Sequence, residues 1–163
     1  MSELVVRRAS DADWPSLWGI LAPVFRAGET YAFSPDITEE EARGVWLTAP
    51  TETWVAEDAG TILATYYIKP NQPALGAHVC NCGYVVSEQA RGRGIARQLC
   101  RHSLDQARRL GFRAMQYNLV VATNEAAIAA WQKEGFEVVG RLPGAFAHPR
   151  HGDTDALIMY FRL

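Results

Sequence analysis

Residues 84–96 read YVVSEQARGRGIA, and this stretch decides the fold of the chain. Residues 84–86 are apolar and end a predicted strand, while Gly92 and Gly94 form a turn before a helix that begins near Ile95. Glycine has no Cβ, so backbone N–H groups can approach a ligand closely, and the positive end of a helix favours an anion. The stretch therefore predicts a strand, a glycine turn and a helix that together bind a phosphate.

Two common phosphate-binding motifs are excluded by the same residues. No Gly-Lys-Ser/Thr sequence follows, so the turn is not a Walker loop, and the third glycine of the dinucleotide-binding pattern is missing. Charge also gathers here: residues 1–60 hold four arginines against eleven acidic residues, whereas residues 61–113 hold eight basic residues against two acidic ones. The local excess of positive charge around the turn is consistent with an anionic ligand.

Length and composition restrict the class of protein. Of the 163 residues, 48% are apolar and 21% charged, enough to build one core, so residues 1–163 are expected to form a single domain. No apolar run approaches the roughly 18 residues of a membrane span, and residues 1–10 lack a secretion signal. A cytoplasmic protein without a membrane partner is therefore expected. The net charge of −2 does not indicate a nucleic-acid partner, and three cysteines indicate free thiols rather than disulfides.

Hydrophobic periodicity and capping residues predict seven strands and four helices. The predicted strands cover residues 4–8, 53–58, 61–69, 77–86, 114–121, 136–141 and 156–162, with a loop at 144–152. The predicted helices begin after Asp11, at the Thr38–Glu41 capping box (ending near residue 47), near Ile95 (ending at residue 110) and at Asn124 (ending at residue 134). An early hairpin followed by strand-helix-strand crossovers indicates an α/β or α+β fold with a mixed central sheet.

A second motif lies downstream of the glycine turn at a matching distance. The turn carries Arg91-Gly92-Arg93-Gly94-Ile95-Ala96, and the second motif comprises Asn124, Ala127, Trp131 and Lys133-Glu134-Gly135-Phe136. Together they resemble the acetyl-CoA signature and the following block of the GNAT superfamily of N-acetyltransferases. The resemblance covers residues 77–143 most strongly. It implies a mixed, largely antiparallel sheet of about seven strands with about four covering helices, and a transferase that uses acetyl-CoA and no metal.

The resemblance also implies which residues hold acetyl-CoA. Backbone N–H groups would hold the diphosphate, in the run Arg91, Gly92, Arg93, Gly94, Ile95 and Ala96. The pantetheine arm would pair with Val85 and Val86, and would contact Asn124 and Trp131. Without the resemblance, the glycines could serve only as a tight strand-to-helix turn and Asn124 only as a helix cap.

Three asparagines suggest a narrower resemblance. Asn81, Asn118 and Asn124 are spaced like the asparagines of fungal N-acetyltransferases that detoxify proline analogues such as azetidine-2-carboxylate. This resemblance implies that Asn81 and Asn118 act in the catalytic site and hold a small-molecule amine, such as an amino acid or a proline analogue. An acceptor amine on a protein, and a non-catalytic acyl-CoA sensor, stay open as alternatives.

Two positions differ from the commoner GNAT pattern and leave the general acid and base unassigned. Trp131 stands where many members have a tyrosine that protonates the CoA thiolate, and Asn81 stands where many have a glutamate. Direct transfer needs neither group, provided that the amine arrives as the free base. Backbone N–H groups near Val86 would then hold the developing oxyanion.

One candidate metal cluster is rejected from its spacing. His78, Cys80 and Cys82 share one face of a predicted strand, but the outer two would lie about 13 Å apart, too far to share one ion. Buried, inert thiols are the better interpretation of these cysteines.

Two further clusters each have a structural and a functional interpretation. His148 and His151 lie in the predicted 144–152 loop, which would stay on the surface, close over a carboxylate-bearing acceptor or meet a second subunit. Trp14 and Trp18 belong to a predicted core stripe, and an exposed apolar patch there would favour a homodimer.

Overall fold

The computed structural model describes residues 3–163 and contains a sheet of seven strands. Met1 and Ser2, which begin the segment considered for a secretion signal, lie outside the described residues. The strands are β1 (Val5–Arg8), β2 (Glu52–Asp58), β3 (Thr61–Pro70), β4 (Val79–Val86), β5 (Ala114–Val121), β6 (Glu137–His148) and β7 (Gly152–Arg162). The α-helices within residues 3–163 are α1 (Trp14–Ala27), α2 (Glu39–Arg43), α3 (Ile95–Arg109) and α4 (Glu125–Lys133). The predicted order of strands and helices is confirmed.

The sheet has the strand order β1-β2-β3-β4-β5-β7-β6, and within residues 3–163 its one parallel pair is β4 with β5. That pair is short: Val79 lies opposite Ala114 and Cys80 opposite Met115, and the two strands then diverge. Helix α3 forms the crossover that a parallel connection requires. The mixed, largely antiparallel sheet is confirmed, and the divergence of β4 from β5 opens a gap in its middle.

The sheet carries an apolar core on each face, because successive side chains of a strand point to opposite sides. One core lies under α1 and α2 and includes Phe25, Trp46, Tyr67 and Val85. The other lies under α3 and α4 and includes Tyr66, Cys82, Leu99, Leu104 and Trp131. Helices α1 and α3 each bury one stripe of residues against these cores, as the predicted periodicity requires.

The second helix differs from expectation at its C-terminal end. Its capping box is present, because the Thr38 hydroxyl accepts from Glu41 N–H and the Glu41 carboxylate accepts from Thr38 N–H. The α-helix ends at Arg43, however, and residues 44–48 form a π-helical turn. This turn buries Trp46, whose indole N–H donates to the Thr65 hydroxyl, so packing decides the local geometry.

No helix within residues 3–163 is long and apolar enough to cross a membrane.

The expectation of a loop at 144–152 is wrong. Strand β6 continues to His148 and β7 begins at Gly152, so most of the segment is hairpin. Irregular pairing between Leu142 and Phe146 accommodates Pro143, which an edge strand tolerates because one of its sides has no partner strand. The sequence pattern misses this hairpin because most of β6 is exposed and shows no apolar alternation.

Candidate active site

Strand β4 turns one edge of its backbone toward the gap, where β5 no longer pairs with it. Asn71 N–H donates to Val79 C=O and Ser87 N–H to Leu63 C=O, so odd-numbered residues of β4 exchange their hydrogen bonds with β3. Even-numbered residues therefore turn their N–H and C=O groups toward β5. Val86 faces the gap in this way. The backbone of Val85 faces β3 instead, and Tyr84, which the sequence did not single out, faces the gap.

A cavity of about 330 Å³ lies where the two strands diverge. Gly83 shapes its floor, because a Cβ there would lie 2.7 Å from the Tyr67 ring and 3.1 Å from the Tyr31 hydroxyl. The cavity is therefore built from aromatic rings that approach the strand closely. Its lining consists of residues from β3, β4, β5, α4 and the segment before α2: Thr30, Tyr31, Ala32, Phe33, Tyr67, Lys69, Asn81, Cys82, Gly83, Tyr84, Tyr117, Asn118, Leu119, Val120 and Trp131.

The structure brings Asn81 and Asn118 to this cavity from opposite sides of the gap. Asn81 is buried; its amide NH₂ donates to Gln116 C=O at 2.9 Å and its carbonyl accepts from the Tyr67 hydroxyl at 3.2 Å. Asn118 is exposed and lies where the register of β5 against β7 shifts. Its amide donates to Asn71 at 2.6 Å and accepts from Gln116 at 2.9 Å. Asn81 thus bridges the diverging strands, whereas Asn118 borders the opening.

Tyr31 reaches the gap from the connection between α1 and α2. Its hydroxyl accepts from Tyr84 N–H and donates to Tyr84 C=O, both at 2.8 Å. Its ring packs against Phe25, Phe33 and Trp46 at centroid distances of 5.8, 5.9 and 5.8 Å. Burial raises the pKa of Tyr31 well above its usual value, with Tyr67 as a smaller cause, so the hydroxyl remains a proton donor.

Lys69 supplies positive charge to the cavity. It is the one charged residue in the lining, and its ammonium lies 5.2 Å from the centroid of the Tyr67 ring. Lys69 forms no ion pair with any residue in the range 3–163. A free cation beside two amides and several aromatic rings can receive a small carboxylate.

The turn between β4 and α3 places two glycines at the N-terminus of a helix. Gly92 and Gly94 have φ angles of +79° and +74°, and a Cβ at either position would meet no atom within 4 Å. Open space therefore lies above both glycines, and the first N–H groups of α3 have no partner within the helix. The turn satisfies the requirements of an anion site: left-handed glycines, free space and a helix N-terminus.

The arginines around the turn differ in their availability to a ligand. Arg93 pairs with Asp58 at 2.8 Å, and Arg97 and Arg101 both pair with Glu134 at 2.7 Å. Arg91 is exposed and makes no side-chain contact of this kind with residues 3–163. Part of the local excess of positive charge is therefore neutralised within the protein, and Arg91 remains to meet an anion.

Asn124 and Trp131 belong to the N-terminus and the body of α4. Asn124 is the helix cap, with its side-chain carbonyl accepting from Ala127 N–H at 3.4 Å. Trp131 lines the cavity and packs against Tyr84 and Tyr117 at centroid distances of 5.0 and 5.4 Å. Both residues thus have a structural role, and Trp131 can also contact a ligand in the cavity.

The histidines and cysteines behave as structural groups. His148 is buried at the end of β6, and its Nδ1 accepts from the N–H groups of Arg150 and His151, which closes the hairpin turn. The adjacent Arg150 pairs with Glu29 at 2.7 Å, so the hairpin tip meets the segment after α1. All three cysteines are free and buried. Within residues 3–163, no group of three His, Cys, Asp or Glu residues is placed to hold a metal.

Comparison with known proteins identifies the class that this fold and site define. Residues 14–136 match the Acetyltransferase (GNAT) family. The chain is 33% identical over 151 residues to N-acetyltransferase aca1 of Schizosaccharomyces pombe, covering 82% of this chain and 72% of that protein. The chain belongs to the GNAT family of acetyl-CoA-dependent N-acetyltransferases.

Two solved structures place the chain within this family more closely. A GCN5-related N-acetyltransferase from Kribbella flavida is 46% identical, with a TM-score of 0.93 over 98% of both chains. Ribosomal-protein-alanine N-acetyltransferase from Brucella melitensis is 27% identical, with a TM-score of 0.86 over 98% of this chain and 99% of that one. Of these two proteins, only the one from Brucella melitensis has a name that states an acceptor, so the likeness leaves the acceptor of this chain open.

Proposed function

We propose that this enzyme acetylates the amine of a small molecule that carries a carboxylate, such as an amino acid or a proline analogue. The observation that carries this proposal is the cavity at the β4–β5 gap, about 330 Å³ in volume, whose one charged lining residue is Lys69. A small cavity with aromatic walls and one unpaired cation suits a compact anion better than an extended peptide. The whole of residues 1–163 would form this one catalytic domain.

Acetyl-CoA would lie along the gap. Its diphosphate would meet the backbone N–H groups of residues 91–96, with Arg91 close by, and its pantetheine arm would pair with Val86 beside Val85. Asn124 and Trp131 would contact the arm from α4. The support for this placement is the left-handed conformation of Gly92 and Gly94, the free space above them and the edge of β4 that β5 leaves beyond Cys80.

The acceptor would be oriented by amide groups and by the cation. Asn118 and Lys69 border the cavity, and Asn81 keeps one amide N–H beyond those that its two hydrogen bonds use. Lys69 would bind the carboxylate, while the asparagines would direct the amine toward the gap. The tyrosine rings of the cavity would exclude water from the bound acceptor.

The residues of the site fit direct transfer. Acetyl-CoA supplies an activated thioester. The acceptor amine, as the free base, forms a bond to the acetyl carbon while the carbon–sulfur bond breaks; CoA leaves as the thiolate and the amine proton passes to water. The side chains of Trp131 and Asn81 do not gain or lose a proton near neutral pH. They can therefore position the substrates but cannot transfer a proton.

A panel of acceptors tests the proposal. Release of CoA thiol is followed with proline analogues, amino acids, amines lacking a carboxylate, and peptides. Amino acids or proline analogues are expected to react at the highest kcat/KM. Lys69→Met should raise the acceptor KM about tenfold or more for carboxylates and leave amines without a carboxylate unchanged. Lys133→Met, at an exposed position outside the cavity lining, is the matched control.

Each contrary outcome points to a different activity. Reaction with peptides alone would favour a protein acceptor. Binding of acetyl-CoA with no acceptor turned over would favour an acyl-CoA sensor. Equal effects of Lys69→Met on acceptors with and without a carboxylate would contradict the role given to the cation.

A further inference from the structure

One hydroxyl satisfies both backbone groups that Tyr84 turns toward the gap. Strand β5 has diverged at this level, so the N–H and C=O of Tyr84 have no neighbouring strand to pair with. Buried backbone groups need partners, and the Tyr31 hydroxyl supplies them by accepting from the N–H and donating to the C=O, at 2.8 Å each. Tyr31 therefore replaces one residue of an adjacent strand.

A ligand that pairs with β4 needs the same two groups. A secondary amide of the pantetheine arm offers an N–H and a C=O, as a strand residue does, and a thioester carbonyl needs an N–H donor. The Tyr31 hydroxyl lies on the side of β4 that faces the gap, so it occupies the position that such a ligand would take. The backbone N–H of Tyr84 is a single donor, so Tyr31 and the ligand cannot both accept from it.

Displacing the segment that carries Tyr31 would break no helix or strand, only its side-chain contacts, such as those of Arg26 with Pro35 C=O and Ile37 C=O and of Arg150 with Glu29. Residues 28–38 lie between α1 and α2 and form turns and irregular backbone. Gly28 ends α1 in the left-handed conformation, with φ of +64°, and so provides a pivot at the start of the segment. The same segment contributes Thr30, Tyr31, Ala32 and Phe33 to the cavity lining.

We infer that Tyr31 competes with acetyl-CoA for the backbone of Tyr84, so that cofactor binding releases this segment and opens the acceptor cavity. The inference rests on the placement of acetyl-CoA along the gap given above. Tyr31 is a positioning residue in this scheme: it keeps β4 paired and the cavity narrow until the cofactor arrives. Acetyl-CoA then binds before the acceptor.

The variant Tyr31→Phe tests the competition. It keeps the ring among Phe25, Phe33 and Trp46 but leaves both Tyr84 groups without a protein partner in the free protein. Because the free state alone loses these bonds, the Kd for acetyl-CoA measured by calorimetry should fall about tenfold, the size of roughly one net hydrogen bond. The free variant should also melt at a lower temperature than wild type, and saturating acetyl-CoA should remove that difference.

Tyr67→Phe is the matched control. It removes a second hydroxyl from the same cavity, but that hydroxyl bonds Asn81 rather than the backbone in the gap. Its Kd for acetyl-CoA should stay within about twofold of wild type. An unchanged or higher Kd for Tyr31→Phe would overturn the inference, because it would mean that the hydroxyl does not compete or that it contacts the cofactor.

Hydrogen exchange on the wild-type protein tests the release independently of any variant. Amides of residues 28–36 should exchange faster when acetyl-CoA is bound without acceptor. Slower or unchanged exchange would overturn the inference. A protein that shows the faster exchange and binds acetyl-CoA, yet acetylates no amine, would contradict the proposed function and leave the competition standing.

Discussion

At the scale of single residues, Gly94 decides whether a phosphate can approach α3. Its φ of +74° suits glycine, and a side chain there would enter the free space that the diphosphate is proposed to fill. Gly94→Asp adds both bulk and negative charge, so the Kd for acetyl-CoA should rise more than tenfold, or about 1.4 kcal/mol. Calorimetry on the folded variant measures this effect.

Two control variants show whether the effect of Gly94→Asp on the Kd comes from its charge, from backbone strain or from contact with the ligand. Gly94→Asn adds similar bulk without charge and should cost less affinity than Gly94→Asp. Gly111→Asp places the same residue in a similar left-handed conformation, φ +85°, after the opposite end of α3. It should lower stability and leave the Kd unchanged. A Gly94→Asp protein with the wild-type Kd would refute the proposed phosphate site.

Asn81 and Asn118 should respond differently to removal, although sequence reasoning treated them alike. Asn81→Ala leaves the Tyr67 hydroxyl and the Gln116 carbonyl without their partner in a buried place, which costs about 1–3 kcal/mol of stability as well as activity. Asn118 is exposed, so Asn118→Ala should change stability by less than about 0.5 kcal/mol and raise the acceptor KM. Denaturant titration and steady-state kinetics separate the two.

The link between Asn81 and Tyr67 gives a further check. In the Tyr67→Phe/Asn81→Ala double variant, the stability loss should be smaller than the sum of the single losses, because both remove one shared hydrogen bond. A normal stability for Asn81→Ala would mean that its bridge across the strands carries no energy. The dissociation constant for acetyl-CoA should barely move in Asn118→Ala.

Residues with a local signature could be predicted from the sequence, and residues that act across the fold could not. Gly92 and Gly94 could be identified because a turn before a helix is encoded by consecutive residues of the sequence. Tyr31 contacts Tyr84 across 53 positions of the chain, and Lys69 lies beside the cavity because β3 pairs with β4. No spacing rule detects such contacts, since only the sheet register creates them.

At the scale of elements, Glu134 joins the two helices that border the proposed cofactor site. It follows α4, its carboxylate is buried, and it accepts from Arg97 and Arg101 of α3 at 2.7 Å each. These hydrogen bonds, Arg101 first, lower the pKa of Glu134 below its usual value against the opposing effect of burial. The pair of helices is thereby held at a fixed separation.

Glu134→Gln should lower the free energy of unfolding by about 1 kcal/mol, a modest value because both arginines are largely exposed to solvent. A carboxyl with a depressed folded pKa stabilises the protein above the unfolded pKa. The difference between wild type and variant should therefore be complete near neutral pH and disappear as the pH falls below about 4.5, the usual pKa of the group. Arg108→Gln, which breaks an exposed pair on the same helix, is the control. A difference that persists at low pH would contradict the electrostatic explanation.

Elements with strong periodicity were predictable, and edge elements were not. Helices α1 and α3 bury one stripe each, and the predicted start of α1 and both predicted ends of α3 lie within a few residues of those observed. Strand β6 has an edge position and exposed residues, so its second half resembled a loop. Its length depends on pairing with β7, which the local sequence does not encode.

At the scale of the whole molecule, the sheet consists of two parts that meet weakly at the gap. The first part consists of strands β1–β4 with α1 and α2, and the second consists of strands β5–β7, which come after α3 in the chain. Only two pairs of opposed strand residues join β4 to β5. Side-chain links between the two parts include Asn81 to Gln116, Asn118 to Asn71, Tyr117 to Tyr84 and Arg150 to Glu29. A ligand that fills the gap would contact both parts at once.

Acetyl-CoA should therefore stabilise the whole fold and not only the glycine turn. A ligand that binds the native state alone adds about 2.7 kcal/mol at a concentration one hundred times its Kd. For a chain of this size, that corresponds to a rise in Tm of roughly 5–10 °C, measured by calorimetry or fluorescence. Gly94→Asp at the same concentration of acetyl-CoA should show less than half of the rise. Amide hydrogen exchange should slow in both β4 and β5 when acetyl-CoA binds, because the pantetheine arm is proposed to lie between these strands. If the cofactor bound only at the glycine turn, it would stabilise α3 alone, and amide exchange in β5–β7 would stay unchanged.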